Sequence, residues 1–293
     1  MKKKLTPWMF LTPFLALFVL TMVVPIVITI GYSFQRVERR GLLGELGAQA
    51  TFAGLDNYVE TFRDANFVAS IGRMLLFGVV QVTVMIVAAV LLAMLLESAS
   101  ARWPWLFRAA YFLPYGIPGV IATILWSFLY VPGLSPIIDV ASWVGLDVDP
   151  LAPGMVLWSI ANIVTWTYTG YNMLIIIAQL KAIPGDVYEA AKIDGANAWR
   201  VMTQIQLPLI RPAVLLTVVF SIIGTLQLFA EPLVLSRVAP SIDPQYTPNM
   251  SAYTYAFVYN DIGMASAQAV VIAVTAFVLS VVALAVTSRG GSR

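Results

Sequence analysis

Two groups of residues in this sequence have types and spacing that could do chemistry, and both centre on carboxylates. The first is Glu231, in Gln227-Leu228-Phe229-Ala230-Glu231-Pro232, an ionisable side chain within an otherwise apolar run. The second is Glu189 and Asp194 in Ile183 to Pro212, a mostly polar hairpin that interrupts a greasy chain. The sequence holds no cysteine and no histidine, which excludes thiolate nucleophiles, disulfides, zinc sites and imidazole acid–base chemistry. It also lacks Gly-x-x-x-x-Gly-Lys-Ser/Thr, the loop whose backbone amides cradle nucleotide phosphates. A membrane-embedded enzyme would need paired acids or metal ligands, and Glu231 stands alone in its run. The chemistry left is ligand binding and partner contact.

The elements that position these groups are membrane helices. Hydrophobic residues make up 60% of the 293 and charged residues 11%, against roughly 45–50% and 25% in soluble domains. The fold class is therefore read as an all-α integral membrane protein. Apolar runs near or above the ~20 residues that cross a bilayer lie at about 8–34, 71–96, 107–131, 154–180, 212–236 and 264–287. They predict six transmembrane helices in one domain, residues 1–293. The first run is too long for the apolar core of a secretory signal, about 7–15 residues, and lacks a cleavage site. Pro13 and Pro25 within it predict a kinked helix. Residues 35–70 are polar and mixed in charge, with Tyr58, Phe62 and the Phe67 region predicting a short interfacial helix.

Positive charge is retained on the cytoplasmic side. With the N-terminus inside, inner segments hold Lys2, Lys3, Lys4, Arg102, Arg108, Lys181, Lys192, Arg200, Arg211, Arg289 and Arg293, eleven of the seventeen basic residues. Arg36, Arg39, Arg40, Arg63, Arg73 and Arg237 fall outside, the first three running against the rule locally. Both termini and the hairpin are thus expected in the cytoplasm. The formal net charge of +2 does not suggest nucleic acid.

Within the hairpin, Pro184 suits the first position of a helix, and Asp186 and Glu189 bring negative charge to its opening turns. Gly195 suits its left-handed end, and Asn197 can cap a second helix. Ala198, Val201, Met202, Ile205 and Leu209 follow a helical stripe, and Pro208 and Pro212 punctuate the approach to the fifth span.

Glu189-Ala190-Ala191, then Asp194-Gly195-Ala196, then Ile205, Leu207 and Pro208 resemble the EAA signature of permease subunits of binding-protein-dependent ATP-binding-cassette importers. Phe52 to Tyr58, Arg108 through Phe112-Leu113-Pro114 and Pro118, and Trp166, Gly170, Tyr171 and Leu180 through Pro184 extend the likeness to sugar permeases of the maltose and glycerol-phosphate type. Arg73, where that family often has Asn, and Ser135-Pro136, replacing a common Asn, depart from it. The resemblance implies a type I importer fold whose EAA helix docks on an ATPase subunit. It implies two ATP-binding subunits that hold ATP and magnesium, a second permease, an extracytoplasmic solute-binding protein and a sugar substrate; this chain carries no cofactor. Glu189, Ala190, Ala191, Asp194, Gly195, Ala196 and Pro208 would then couple to the ATPase. The alternative is an amphipathic loop resting on lipid headgroups, although such helices are rich in Lys and Arg and this one opens acidic.

In sugar permeases of this type the fourth and fifth spans line the path, which here corresponds to Tyr168, Tyr171, Asn172, Gly224, Gln227 and Glu231, with Trp126 in addition. Aromatic faces pack on sugar rings while amides and carboxylates take hydroxyls. Each tyrosine is equally read as a packing or interfacial aromatic, Glu231 as an interfacial carboxylate, and Gln81 as a helix–helix contact. An ion-coupled secondary transporter is the other functional class to weigh; it has no use for the EAA hairpin.

Overall fold

A computed structural model describes residues 6–39, 48–98, 102–146 and 148–289. Lys2, Lys3, Lys4, Arg40 and Arg293, which enter the charge argument, lie outside the described residues. Among the described residues, four helical stretches are long and apolar enough to cross a membrane: Trp8–Ser33, Ala65–Leu96, Arg211–Leu235 and Ile262–Ala285. Of the six runs expected, these correspond to the first, second, fifth and sixth.

The first stretch comprises α1 (Thr6–Phe18), a π-helical turn (Val19–Val23) and α2 (Val24–Ser33). Pro25 has no N–H to offer the Thr21 carbonyl, and the widened turn lies just ahead of it, where a kink was expected. Beyond it the expected loop contains an element that was not foreseen, an antiparallel pair of strands, β1 (Gln35–Arg39) and β2 (Ala48–Phe52), in register from Gln35 opposite Phe52 to Arg39 opposite Ala48. The expected interfacial helix is α3 (Asp56–Arg63), but Phe67 belongs to α4 (Ala65–Leu96), which starts six residues before the apolar run. Asp64 sets that start by accepting the N–H groups of Asn66 and Phe67.

The third expected span is broken. α5 (Pro104–Phe112) runs into a single 3₁₀ turn (Leu113–Gly116), and α6 (Gly119–Tyr130) leaves at 98°. Pro114 and Pro118 remove two donors from the helical ladder within five residues, which one continuous helix cannot absorb. Then come α7 (Pro136–Trp143), capped by Ser135 Oγ, and α8 (Val156–Lys181). At 26 residues α8 is long enough to cross a bilayer, but it is less apolar than the four above. Three of its polar groups face inward: Thr167, Thr169 and Asn172 are buried, and both threonines donate to carbonyls one turn back.

After α8 follow α9 (Gly185–Ile193), α10 (Ala198–Arg200), a π turn (Val201–Gln206), α11 (Leu207–Leu209) and α12 (Arg211–Leu226). The chain closes with α13 (Ala230–Leu235), α14 (Pro248–Phe257) and α15 (Ile262–Arg289). The fifth expected span is thus interrupted between α12 and α13, where Phe229 leaves helical conformation with φ −144°.

Phe67, Met74 and Phe77 of α4 pack with Ile160 and Ile163 of α8 and Leu226 of α12 in the larger core. A second cluster joins Ala89 and Ala93 of α4 to Met173, Ile176 and Ile177 of α8 and reaches Ile210. Lipid gives no hydrophobic drive between helices, so close fitting of small against large side chains must hold them. The Phe52–Tyr58 motif ties the first stretch to the rest. Asn57 Nδ2 donates to the carbonyls of Ser33 and Gln35, both at 2.9 Å, and Tyr58 OH lies 2.6 Å from Ser33 Oγ. The segment between α13 and α14, and α14 itself, are fastened to the α3–α4 corner: Gln245 Nε2 (3.0 Å) and Tyr255 OH (3.2 Å) both donate to Asp64 Oδ2. Arg73 lies 4.1 Å over the Tyr246 ring.

Candidate functional site

The hairpin is built by two end signals. Gly195 takes φ +72°, Ala196 N–H donates to the Ala191 carbonyl (2.9 Å) and Gly195 N–H to that of Lys192 (3.1 Å). This is a Schellman close, and glycine meets its left-handed requirement without strain. Asn197 Oδ1 then accepts the Arg200 N–H at 2.9 Å, capping α10 as its sequence suggests. Pro184 is the residue before α9 rather than its first. Glu189, Ala190, Asp194 and Gly195 are exposed, Ala196 and Pro208 half-buried, and Ala191 buried. At the tip, Ile193 is 86% and Trp199 67% exposed.

The second helix of the hairpin departs from its stripe. Pro208 cannot donate to the Gln204 carbonyl, and the chain passes through the Val201–Gln206 π turn, whose wider turn advances the register. Leu209 is therefore 45% exposed, and Ile210 is fully buried in its place. Ile183 and Met202 pack beside Ile210 against the C-terminal ends of α4 and α8.

The second site is a cavity of about 530 Å³ between α4, α6, α8, α12 and α13, with Tyr168, Tyr171, Asn172, Gly224, Gln227 and Glu231 all in its lining. Helical spacing is not what unites Gln227 and Glu231. The break between α12 and α13 separates them, and both still reach the space. Unwinding frees the Gln227 and Leu228 carbonyls, which Asn249 Nδ2 and Thr247 Oγ1 take up at 2.9 Å each. Trp126 packs edge-on against Trp166, centroids 5.7 Å apart, and is not in the lining.

Of the lining residues not singled out as ligand contacts from sequence, Tyr115 and Gln81 matter most. Tyr115, in the bend before α6, stacks on Tyr171 at 4.5 Å and meets Tyr168 edge-on at 5.8 Å. Pro114, Gly116 and Pro118 within an apolar run were the available signal, since broken helices at membrane depth line cavities. Gln81 makes the helix contact expected of it through Nε2, 3.3 Å from Thr165 Oγ1, and is also in the lining. The bend is pinned by Gly170, where a Cβ would lie 1.9 Å from the Tyr111 carbonyl oxygen.

Residues 85–289, which include most of the cavity wall and the whole hairpin, match the model of the binding-protein-dependent transport system inner membrane component family. The chain belongs to that family. This permease is 30% identical to the probable starch degradation products transport system permease protein AmyD of Thermoanaerobacterium thermosulfurigenes, over 96% of this chain and 94% of that one. It is 34% identical to the lactose transport system permease protein LacF of Rhizobium radiobacter, over 76% and 74%. Its fold is that of a chain from a bacterial ABC transporter involved in the import of the acidic polysaccharide alginate, with a TM-score of 0.82 at 21% identity over 98% and 96% of the two chains. The protein is therefore a membrane-spanning permease of a binding-protein-dependent importer with the type I fold. The ion-coupled alternative falls away.

Proposed function

We propose that this permease passes a sugar or oligosaccharide, delivered by an extracytoplasmic binding protein, across the cell membrane, driven by ATP hydrolysed on partner subunits. In this reading the bent α5–α6 pair and α8 complete six spans, both termini face the cytoplasm, and the hairpin lies inside. A second permease closes the other half of the path, and two ATP-binding subunits supply ATP and magnesium. The chain itself catalyses no reaction.

The observation that carries the reading is the tip of the hairpin. Ile193 and Trp199 are large apolar side chains held out from the chain beside acidic Glu189 and Asp194. A surface of that kind suits a groove on another protein. The Schellman turn fixes the angle at which it is offered. Ile183, Met202 and Ile210 grip the inner ends of α4 and α8, so displacement of the hairpin moves those helices. Along α8, Tyr171 stands about 15 Å from Lys181 at 1.5 Å per residue, and a rigid helix carries the motion to the cavity. There Tyr168 and Tyr171 offer ring faces to a sugar, while Asn172, Gln227 and Glu231 offer polar groups beside the open backbone of Gly224.

Reconstitution with its partners tests this. Gly195→Val or Glu189→Lys should uncouple ATP hydrolysis from uptake or prevent assembly, leaving the binding protein's own affinity intact. Normal ATP-driven uptake in both variants would remove the coupling role. Unchanged uptake and selectivity in Gln227→Ala with Tyr171→Ala would remove the path.

A further inference from the structure

Among the described residues, Glu231 is the one charged side chain in the lining of the cavity, and no Lys or Arg accompanies it. It belongs to neither ion pair found among the described residues, Arg36 with Glu60 and Arg108 with Glu97. What lies against it is the start of α6: a Cβ on Gly119 would come 3.5 Å from Glu231 Oε1. A second acceptor is unsatisfied. Gln81 is 2% exposed and spends Nε2 on Thr165 Oγ1 and Met85 Sδ, while its Oε1 is buried with no hydrogen-bond partner. A buried amide oxygen without a donor carries a desolvation cost that a bound hydroxyl or amine would relieve.

Resting on the sugar-permease reading above, we propose that this cavity is charge-selective. It takes a neutral or amine-bearing saccharide and rejects an anionic one, with the Glu231 carboxylate and Gln81 Oε1 as the acceptors that set the preference. Saccharide hydroxyls and amines donate to both groups, and the rings of Tyr115, Tyr168 and Tyr171 supply apolar faces between. A uronate would bring like charge into a space where water screens poorly, with no cation in the lining to hold it. The similarity of fold to an alginate importer therefore does not extend to the charge of the substrate.

Calorimetric binding to the purified importer complex distinguishes the outcomes, using three probes of equal length: trisaccharides of glucose, of glucosamine and of galacturonate. The first two should bind about ten-fold or more tighter than the third, and Glu231→Gln should shrink that gap to about two-fold, chiefly by admitting the galacturonate. Glu231→Asp keeps the charge and should keep the discrimination, which separates loss of charge from loss of fold. Gln81→Leu should weaken all three probes while preserving their order. Galacturonate binding as tightly as glucose in the wild type, or a gap undiminished in Glu231→Gln, overturns the proposal and leaves the sugar reading standing. If none of the three binds, the sugar reading falls and this inference falls with it.

Discussion

Replacing Gly170 by alanine tests how the cavity wall is assembled. The added Cβ would sit 1.9 Å from the Tyr111 carbonyl oxygen, 2.4 Å from its carbon and 2.9 Å from the Phe112 nitrogen. All three are backbone atoms, so no side chain can swing aside. Non-bonded contacts settle at about 3.5 Å, and α5 must retreat from α8 by an amount on the order of 1.5 Å. Overpacking of this kind costs about 1–3 kcal/mol. The Tyr115–Tyr171 stack, carried on the turn that follows α5, would loosen and give up about 0.5–1.5 kcal/mol more. At about 2–4 °C per kcal/mol, the apparent unfolding midpoint of the purified protein should fall by about 3–18 °C. Uptake should fall too, because the ring that closes one side of the cavity has moved. Gly72→Ala is the control, since nothing lies within 4 Å of its added Cβ and alanine is the better helix former. A Gly170→Ala protein with the midpoint of Gly72→Ala and full uptake would refute the pinning of α5 on α8.

Asn57→Ala removes the donor that serves two carbonyls, those of Ser33 and Gln35, and should cost about 2–3 kcal/mol. Thermal unfolding and limited proteolysis of the Gln35–Arg63 region should both register it. Tyr255, on the outer side in the proposed topology, has its hydroxyl pKa pushed up to about 12 by burial first, then by the charge of Asp64, its bond to Asp64, and the charges of Glu60 and Tyr259. The native state therefore keeps a proton that an unfolded tyrosine, at 10.0, releases. Stability should be flat below that value and fall as pH rises toward 12. Denaturant titrations at alkaline pH should show a shallower fall in Tyr255→Phe, and an unchanged slope would count against that environment.

The hairpin is the part most legible in the sequence, because a Schellman glycine and an asparagine cap are local signals that need no tertiary context. The cavity is legible through residue types rather than helix geometry: a spacing of four would put Gln227 and Glu231 on one face of an unbroken helix, and they share the space across a break. The bend at Pro114 to Pro118 was written in the sequence yet hidden inside a run of spanning length, where averaging over an apolar window conceals single prolines. The π turn before Pro208 moved burial from Leu209 to Ile210, and a stripe counted at 3.6 residues per turn cannot register a single wide turn. The β1–β2 pair rests on backbone bonds between segments flanking a polar stretch, which periodicity in either segment alone does not announce. α8 is less apolar than the other long helices because its polar groups turn toward neighbouring helices instead of lipid.

Thr247 and Asn249 do not line the cavity, yet they hold the Leu228 and Gln227 carbonyls within the break that does. The ligand-facing surface is thus specified twice, once by which side chains stand there and once by where two anchors beyond it hold the main chain. Engineering that swaps Gln227 or Phe229 for a relative's residue edits only the first of these. A graft of specificity between permeases would transfer in full only when residues 247–249 travel with the lining.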